Sequence, residues 1–528
     1  MPKQAKSKST EQSLESIMMN CRNALRGTVG GNETNRDVVL GLVFLKFAGD
    51  KFGKRRAEII QQHGEVPAFL EKKSFYLSEN VFYLNKTSRW SYIVQNASAD
   101  NIAVILDTAM KDIEEGNPPL KGALPQNRYT TIGSTRPEQI KSLIDEVNKI
   151  DERRFHDKDL IGRVYEYFLQ VFAIDSGTSN EKGEFYTPAS IVQLIAELIE
   201  PYAGVVYDPC CGSGGMFVQS HRFVEQHNGN RKNISVYGQE RTLETWRLAK
   251  MNLAIRGISH NLGERPESSF SEDLHRDKKV NFIMANPPFN LKLNAQGVTQ
   301  DKLSGDARWA GYPAPPVSNA NYAWILHMLS KLDVTNGIAG FLLANGALNA
   351  DGVEGEIRKT LIENDKVEAI IVLPREMFYS TDISVTLWIL NNNKKSRSLN
   401  GRRLRNRRGE VLFIDLRRWN ENVYEKKYVQ FSDEQIAAIK KIYTDWQTGE
   451  GYADVPELCR SATKAQIAAQ GYSLAPSKYI EFIDHDLEID YTTEMTRIQA
   501  EMREVMKAEK LSQRLLEEAF RGIGYGIS

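Results

Sequence analysis

Val205-Val206-Tyr207-Asp208-Pro209-Cys210-Cys211-Gly212-Ser213-Gly214-Gly215 is the stretch whose reading decides the fold. A short β-branched run that breaks at Asp-Pro reads as a strand, and the glycines after it allow a tight turn into a helix from about Met216. Strand, glycine turn and helix in that order make the first crossover of a doubly wound α/β domain, where cofactors bind. The turn is neither the dinucleotide fingerprint Gly-x-Gly-x-x-Gly nor a phosphate loop with Gly-Lys-Ser/Thr. Asp208 at the strand's end repels a pyrophosphate but suits a cation, and a sulfonium carrying an amino-acid ammonium is such a ligand.

Outward from that turn, Ile234 to Gly238 reads as a second strand, with Glu240 just before the helix Thr242 to Arg256. A carboxylate there can accept hydrogen bonds from ribose hydroxyls. A third strand is expected to end near Ser268-Ser269-Phe270, and a fourth, Val280 to Ala285, delivers Asn286-Pro287-Pro288-Phe289. Two prolines stop that strand and fix the backbone, so the Asn286 side-chain oxygen and the Pro287 carbonyl can converge as acceptors beside the Phe289 ring. Such a site fits an amine on a flat ring, as in a nucleobase swung out of a duplex. Asn-Pro-Pro alone also makes an ordinary turn, so context has to decide. Upstream, Gly183-Glu184-Phe185-Tyr186-Thr187-Pro188 precedes an apolar helix, Ile191 to Ile199. Thr187 is expected to cap it with Pro188 in the first helical position, an arrangement that suits a carboxylate as well as a plain helix start.

Alternation continues with helices at Ala323 to Leu332 and Glu354 to Glu363 and strands at Ile338 to Leu343, Val367 to Leu373 and Val385 to Leu390. This pattern predicts a mostly parallel sheet of seven strands with helices on both faces and the last two strands as an antiparallel edge pair. Leu291 to Ala320, rich in Gly, Pro, Asn and Asp, is long enough to be a lid, with Asp306, Arg308 and Trp309 as candidate contacts. Lys394 to Arg408 holds eight cations and reads equally as a phosphate-tracking strip or as a solvated hairpin ahead of the strand Val411 to Leu416. Residues from Ser13 to about Glu152 look helical and carry no catalytic constellation. From Asp484 to Phe520 a charged, amphipathic helical segment offers one apolar face to a partner or to the chain itself.

Hydrophobic content of 41% over 528 residues is enough for two to four soluble domains. No run of about 18 apolar residues suggests a membrane span, and Met1 to Thr10 has no apolar core of a signal peptide, so a cytoplasmic protein without membrane contact is expected. Basic and acidic residues balance at 68 each, whereas proteins that grip DNA unaided are usually basic. A partner is therefore expected to share any hold on DNA. Cys21, Cys210, Cys211 and Cys459 lack metal-ligand spacing, and no metal is expected.

Taken together, the ordered motifs resemble the modification subunit, HsdM, of type I restriction-modification systems, among the adenine-N6 DNA methyltransferases. The residues that carry the resemblance are Gly183 to Pro188, Asp208-Pro209 with Gly212 to Gly215, Gly238-Gln239-Glu240 and Asn286 to Phe289. Trp246 to Leu253, Asn319 to Trp324, Glu354 to Arg358 and Tyr472 to Tyr479 support them. It implies an α/β S-adenosylmethionine-dependent methyltransferase domain, Rossmann-like, at 156–425, after a helical N-terminal domain at 1–155 and before a C-terminal region with a partner-binding helix at 426–528. The implied cofactor is S-adenosyl-L-methionine, held by Gly183, Glu184, Phe185, Tyr186, Thr187, Pro188, Asp208, Gly212, Ser213, Gly214, Gly215 and Glu240. The implied catalytic group is Asn286, Pro287, Pro288 and Phe289, acting on a flipped adenine. Implied partners are double-stranded DNA, a specificity subunit (HsdS) binding two copies of this chain, and a restriction subunit (HsdR). Relatives often carry an Asp where Ser268 stands, which leaves the cofactor's adenine contact open. Methylation of cytosine N4 or of a protein glutamine presents the same planar amine, and a catalytically silent assembly subunit is the alternative from another class.

Overall fold

The computed structural model describes residues 12–25, 27, 31–133, 137–155, 160–175, 187–378, 384–424, 428–483 and 491–522. Its N-terminal part is helical, as its periodicity predicts. The helix Gly31–His63 is central to it, buried on every side from Asp37 to Ala48 because apolar residues and a glycine fill every position there except Asp37 and Lys46, rather than one stripe. Gly41 permits the closest approach: a Cβ there would lie 2.5 Å from the hydroxyl of Tyr129, which donates to the Val38 carbonyl at 3.1 Å. Leu248, Met251 and Ile255 of the helix Leu243–Ile255 belong to the same apolar core. Lys51 Nζ donates to the Ile255 carbonyl at 2.9 Å and Arg247 Nε to the Gly122 carbonyl at 3.2 Å. The helical part thus packs on the helix that follows the second strand of the sheet.

The sheet strands are β1 (Gly204–Asp208), β2 (Ile234–Gly238), β3 (His260–Asn261), β4 (Phe282–Ala285), β5 (Ile338–Ala344), β6 (Val367–Val372) and β7 (Val385–Asn391). A hairpin of β8 (Arg397–Leu399) and β9 (Arg402–Leu404) precedes β10 (Glu410–Asp415), a short pair β11 (Val423–Tyr424) and β12 (Tyr428–Val429) follows, and β13 (Cys459–Thr463) comes last. The main sheet runs β13-β10-β6-β7-β5-β4-β1-β2-β3. β7 is antiparallel to β5 and β6, β13 is antiparallel to β10, and every other pair is parallel. All residues of β5, β6 and β7 are buried, as strands covered by helices on both faces must be.

Four expectations change. The sheet has nine strands rather than seven, because β10 and β13 extend it beyond β6. β6 and β7 are antiparallel as expected, but they lie inside the sheet rather than at its edge. The third strand is only His260–Asn261, and Ser268-Ser269-Phe270 falls in the turns after it, where the Ser269 hydroxyl donates to the Pro209 carbonyl at 2.6 Å. The stretch Leu291 to Ala320 is packed down rather than a free flap: Leu293, Val298, Leu303 and Trp309 are buried, and Arg308 Nη1 bonds the Ser269 carbonyl at 2.6 Å and His327 Nδ1 at 2.9 Å.

The basic stretch forms the β8–β9 hairpin and the turn into β10, and four of its eight cations pair with carboxylates of the same fold. Lys394 pairs with Asp365 at 2.6 Å, Arg405 with Glu410 at 2.7 Å, Arg407 with Glu368 at 3.0 Å, and Arg402 with Glu200. The last helix is Tyr491–Gly522, and none of its residues is buried. No helix among the described residues is long and apolar enough to cross a membrane.

Arg407 and Glu368 are both fully buried, so removing one partner leaves an uncompensated charge inside the protein. Glu368→Ala is expected to cost about 3–5 kcal/mol of stability, whereas Arg403→Ala on the exposed face of the hairpin should cost less than about 0.5 kcal/mol. Urea denaturation of the two variants beside the unaltered chain checks this, and equal midpoints would contradict it.

Candidate functional site

Three parallel strands bring the candidate residues to one edge. β1 pairs with β2 so that Asp208 faces Gly238, and with β4 so that Tyr207 faces Ile283. Carried past the strand ends, those registers set Cys210, Glu240 and Asn286 level with one another at the carboxyl edge, where ligands bind in open α/β sheets.

The glycine turn is tied down from beneath. Gln239 N–H donates to the Asp208 carbonyl at 3.0 Å, Cys211 N–H to the Gln239 carbonyl at 2.9 Å, and Asn252 Nδ2 to the Ser213 carbonyl at 2.8 Å. Gly212 and Gly214 have φ of +53° and +82°, which favours glycine at both places. A Cβ on Gly212 or Gly215 would meet nothing within 4 Å, so these positions leave open space against which a ligand can lie. Glu240 spans the two loops: its Oε2 accepts the Gly212 N–H at 3.0 Å and its Oε1 the Thr242 N–H at 2.9 Å. A carboxylate offers about four acceptor positions, so these bonds are compatible with ribose hydroxyls on the same group. Asp208 is 2% exposed and its Oδ1 accepts the Cys210 N–H at 3.0 Å. Burial pushes its carboxyl up to about 7, the nearby Glu240 carboxylate adds to the rise, and the bond from Cys210 opposes it.

Asn286 follows β4 directly. Its Nδ2 donates to the Thr187 hydroxyl oxygen at 2.9 Å, while its buried Oδ1 has no partner among the described residues. Pro287 is buried, Pro288 is half-buried, and the half-buried Phe289 ring stands edge-on to Phe378 with centroids 6.2 Å apart. The loop is closed by a clasp. Asn290, in the left-handed region at φ +53°, donates its N–H to Asn321 Oδ1 at 3.0 Å and accepts from Asn321 Nδ2 at 2.9 Å. Asn321 opens the helix Asn321–Lys331 and is 2% exposed.

The structure therefore brings Asp208, Gly212, Ser213, Gly214, Gly215, Glu240 and Asn286 to Phe289 to one sheet edge, with Thr187 bonded to Asn286. Gly183, Glu184, Phe185 and Tyr186 lie outside the described residues. Thr187 does not cap the helix: Pro188 takes the N-cap position without a side-chain bond, and the helix runs Ala189–Ile199. Ser268 turns its Oγ to the Phe270 N–H at 3.3 Å, and the carboxylate beside it is Glu267, which accepts the Ser268 N–H at 3.0 Å. The structure adds Asn290, which carried no signal in the sequence, and gives Asn321, part of the supporting stretch Asn319 to Trp324, a place in the clasp. A cleft of about 830 Å³ lined by His221, Arg231, Lys232 and His260 opens beside the start of β2 and holds none of these residues.

Comparison with known proteins identifies the family. A family model described as N-6 DNA Methylase matches residues 156–486, and one described as HsdM N-terminal domain matches residues 14–147. The chain is 38% identical over 434 residues to the type I restriction enzyme HindI methylase subunit of Haemophilus influenzae, covering 80% of this chain and 93% of that protein. It is 34% identical over 508 residues to the MjaIX methylase subunit of Methanocaldococcus jannaschii, covering 92% and 88%. Among solved structures, the type I methyltransferase subunit from Streptococcus thermophilus shares the fold with a TM-score of 0.71 at 22% identity, over 88% of this chain and 98% of that one.

A carboxyl raised by burial favours the proton in the folded state, so its contribution to stability is complete below about pH 3.8 and is lost as pH rises through about 7. Asp208→Asn removes that titration. Between pH 5 and pH 8 the unaltered chain should therefore lose more stability than the variant, and thermal unfolding at the two pH values measures it. Parallel losses would contradict the burial argument.

Proposed function

From the premise that the chain belongs to the N-6 DNA methylase family, as the modification subunit of a type I restriction-modification system, we propose that it moves a methyl group from S-adenosyl-L-methionine to N6 of an adenine extruded from double-stranded DNA. The observation that carries this reading is Asn286 Oδ1, a buried acceptor without a partner among the described residues, at the edge that also holds the glycine turn. The open face at Gly212 and Gly215 and the carboxylates of Asp208 and Glu240 fit a ligand that is cationic at one end and carries a ribose. When bound, the cofactor supplies an electrophilic methyl on sulfur.

Everything else falls to the chain. Gly183 to Pro188 and Asp208 take the amino-acid end of the cofactor, Gly212 to Gly215 its middle, and Glu240 the ribose. Asn286 Oδ1 and the Pro287 carbonyl accept from the exocyclic amine, and Phe289 stacks on the base. Free adenine delocalises its amino lone pair into the ring and is a poor nucleophile. Two acceptors placed for a more tetrahedral nitrogen favour the form whose lone pair is available, so the protein contributes alignment and electrostatics rather than a strong base. Transfer leaves the nitrogen positively charged and acidic, and its extra proton passes to water, since neither amide oxygen is a base.

Specificity comes from outside this chain. Its net charge is zero, and half of the cations in the most basic stretch are paired internally, so phosphate contacts alone give a weak hold. The helix Tyr491–Gly522 exposes Ile498, Met502, Val505, Leu511 and Leu515, and we assign its apolar face to the specificity subunit, which would carry two copies of this chain. A restriction subunit completes the nuclease form.

Asn286→Ala should abolish methyl transfer in the complex reconstituted with the specificity subunit, with S-adenosylhomocysteine affinity by calorimetry changing less than about threefold, roughly 0.7 kcal/mol. Transfer at the unaltered rate would refute the assignment, and mass spectrometry of the product separates N6-methyladenine from methylated cytosine. Val505→Glu with Leu515→Glu should leave thermal unfolding unchanged and prevent co-elution with the specificity subunit, whereas retained co-elution would place the interface elsewhere.

A further inference from the structure

An asparagine amide has a donor end and an acceptor end of nearly identical shape, and turning it over costs little unless a neighbour distinguishes them. The proposed chemistry tolerates only one orientation. With Oδ1 toward an exocyclic amine the contact is donor to acceptor; with Nδ2 there, two N–H groups oppose each other and the amine loses one of its two acceptors. The side chain is held from a residue 99 positions earlier: Asn286 Nδ2 donates to Thr187 Oγ1 at 2.9 Å, which leaves Oδ1 as the end without a partner among the described residues. A hydroxyl can also donate, so this bond sets where the amide sits, and the incoming amine favours the orientation that presents Oδ1.

Thr187 is well suited to hold that position. It precedes Pro188, so its backbone is biased toward extended conformations, and as a β-branched residue it has few side-chain rotamers. The helix that follows is anchored deep in the core through Ile191, Leu194 and Ile195, each fully buried. Ile195 packs so closely on β5 that a Cβ at Gly340 would lie 2.8 Å from it. The hydroxyl is also not committed to the helix start, since no side chain caps it.

We propose that Thr187 is a positioning residue for methyl transfer: its hydroxyl bonds one end of the Asn286 amide and so holds that side chain at the sheet edge with its other end toward the substrate amine. This rests on the reading of Asn286 as the amine acceptor. It also gives Thr187 a task distinct from holding the cofactor, and the two tasks predict different losses.

The test uses the complex with the specificity subunit, DNA bearing one target site, and the variants Thr187→Val, which is nearly isosteric, Thr187→Ala and Thr187→Ser. Each is first matched to the unaltered protein by thermal unfolding. Loss of one buried hydrogen bond corresponds to about a 10- to 100-fold fall in the single-turnover transfer rate for Thr187→Val and Thr187→Ala. Thr187→Ser should recover most of the rate, because it keeps the acceptor oxygen. Calorimetry with S-adenosylhomocysteine should give the same affinity for all four proteins.

An unchanged transfer rate in Thr187→Val overturns the proposal. A loss of cofactor-analogue affinity that accounts for the rate effect overturns it in favour of cofactor contact, and a Thr187→Ser variant as slow as Thr187→Val reduces the residue to packing. Asn286→Ala reports separately on the underlying reading: if that variant still transfers at the unaltered rate, the site assignment fails whatever Thr187 does.

Discussion

The parallel pairing of β1 with both β2 and β4 is the constraint on which the site depends. Register, not proximity in sequence, makes the strands end together, so Asp208, Glu240 and Asn286 reach one edge although they span 79 positions of the chain. Glu240 turns that alignment into a rigid frame by holding the Gly212 N–H and the Thr242 N–H at once. A carboxylate with two backbone donors on it is fixed in place. Any ligand that touches Glu240 therefore meets a surface whose shape was set by folding rather than by binding.

How much of this was legible in the sequence depended on how local the physics was. Asn286 could be placed at a strand end because the apolar run and the two prolines beside it carry that information within eight residues. The glycine turn and Glu240 were legible for the same reason. Thr187 was misread, since a hydroxyl ahead of Pro-helix looks like a cap and its actual partner lies 99 residues away. β3 has only two residues, too few for any periodicity, and its brevity displaced the expected strand toward Ser268. β13 reads Cys-Arg-Ser-Ala-Thr, where only Cys459 and Ala462 are buried, so an edge strand of the sheet looks like a polar loop.

Charge shows the same limit more sharply. Eight cations between Lys394 and Arg408 look like a nucleic-acid strip, and nothing in those fifteen residues shows where Asp365, Glu368, Glu200 and Glu410 will be. Folding brings a carboxylate to each of four of these cations. Arg407 with Glu368 is the extreme case, since a fully buried ion pair organises the joint between hairpin and sheet more than it stabilises the chain. The four cations committed in this way have little left for phosphate, while Lys395, Arg403 and Arg408 stay exposed on the hairpin and the turns on either side of it.

An unsatisfied acceptor does not by itself mark a site, because Trp388 Nε1, Tyr443 Oη and Glu368 Oε2 are equally buried and equally without partners among the described residues. Those atoms lie within the core or its ion-pair network. Asn286 differs in that its amide is asymmetric in use: the nitrogen is bonded, the oxygen is not, and the residue sits past the end of a strand beside an open glycine turn. A buried carbonyl oxygen without a donor costs on the order of 1–3 kcal/mol, and rotating the amide would only move the deficit to the nitrogen. The deficit disappears when an incoming group donates a hydrogen bond, which is what an exocyclic amine does. On the proposed reading that is the group Asn286 meets, and the clasp of Asn290 with Asn321 ties down the loop that follows it.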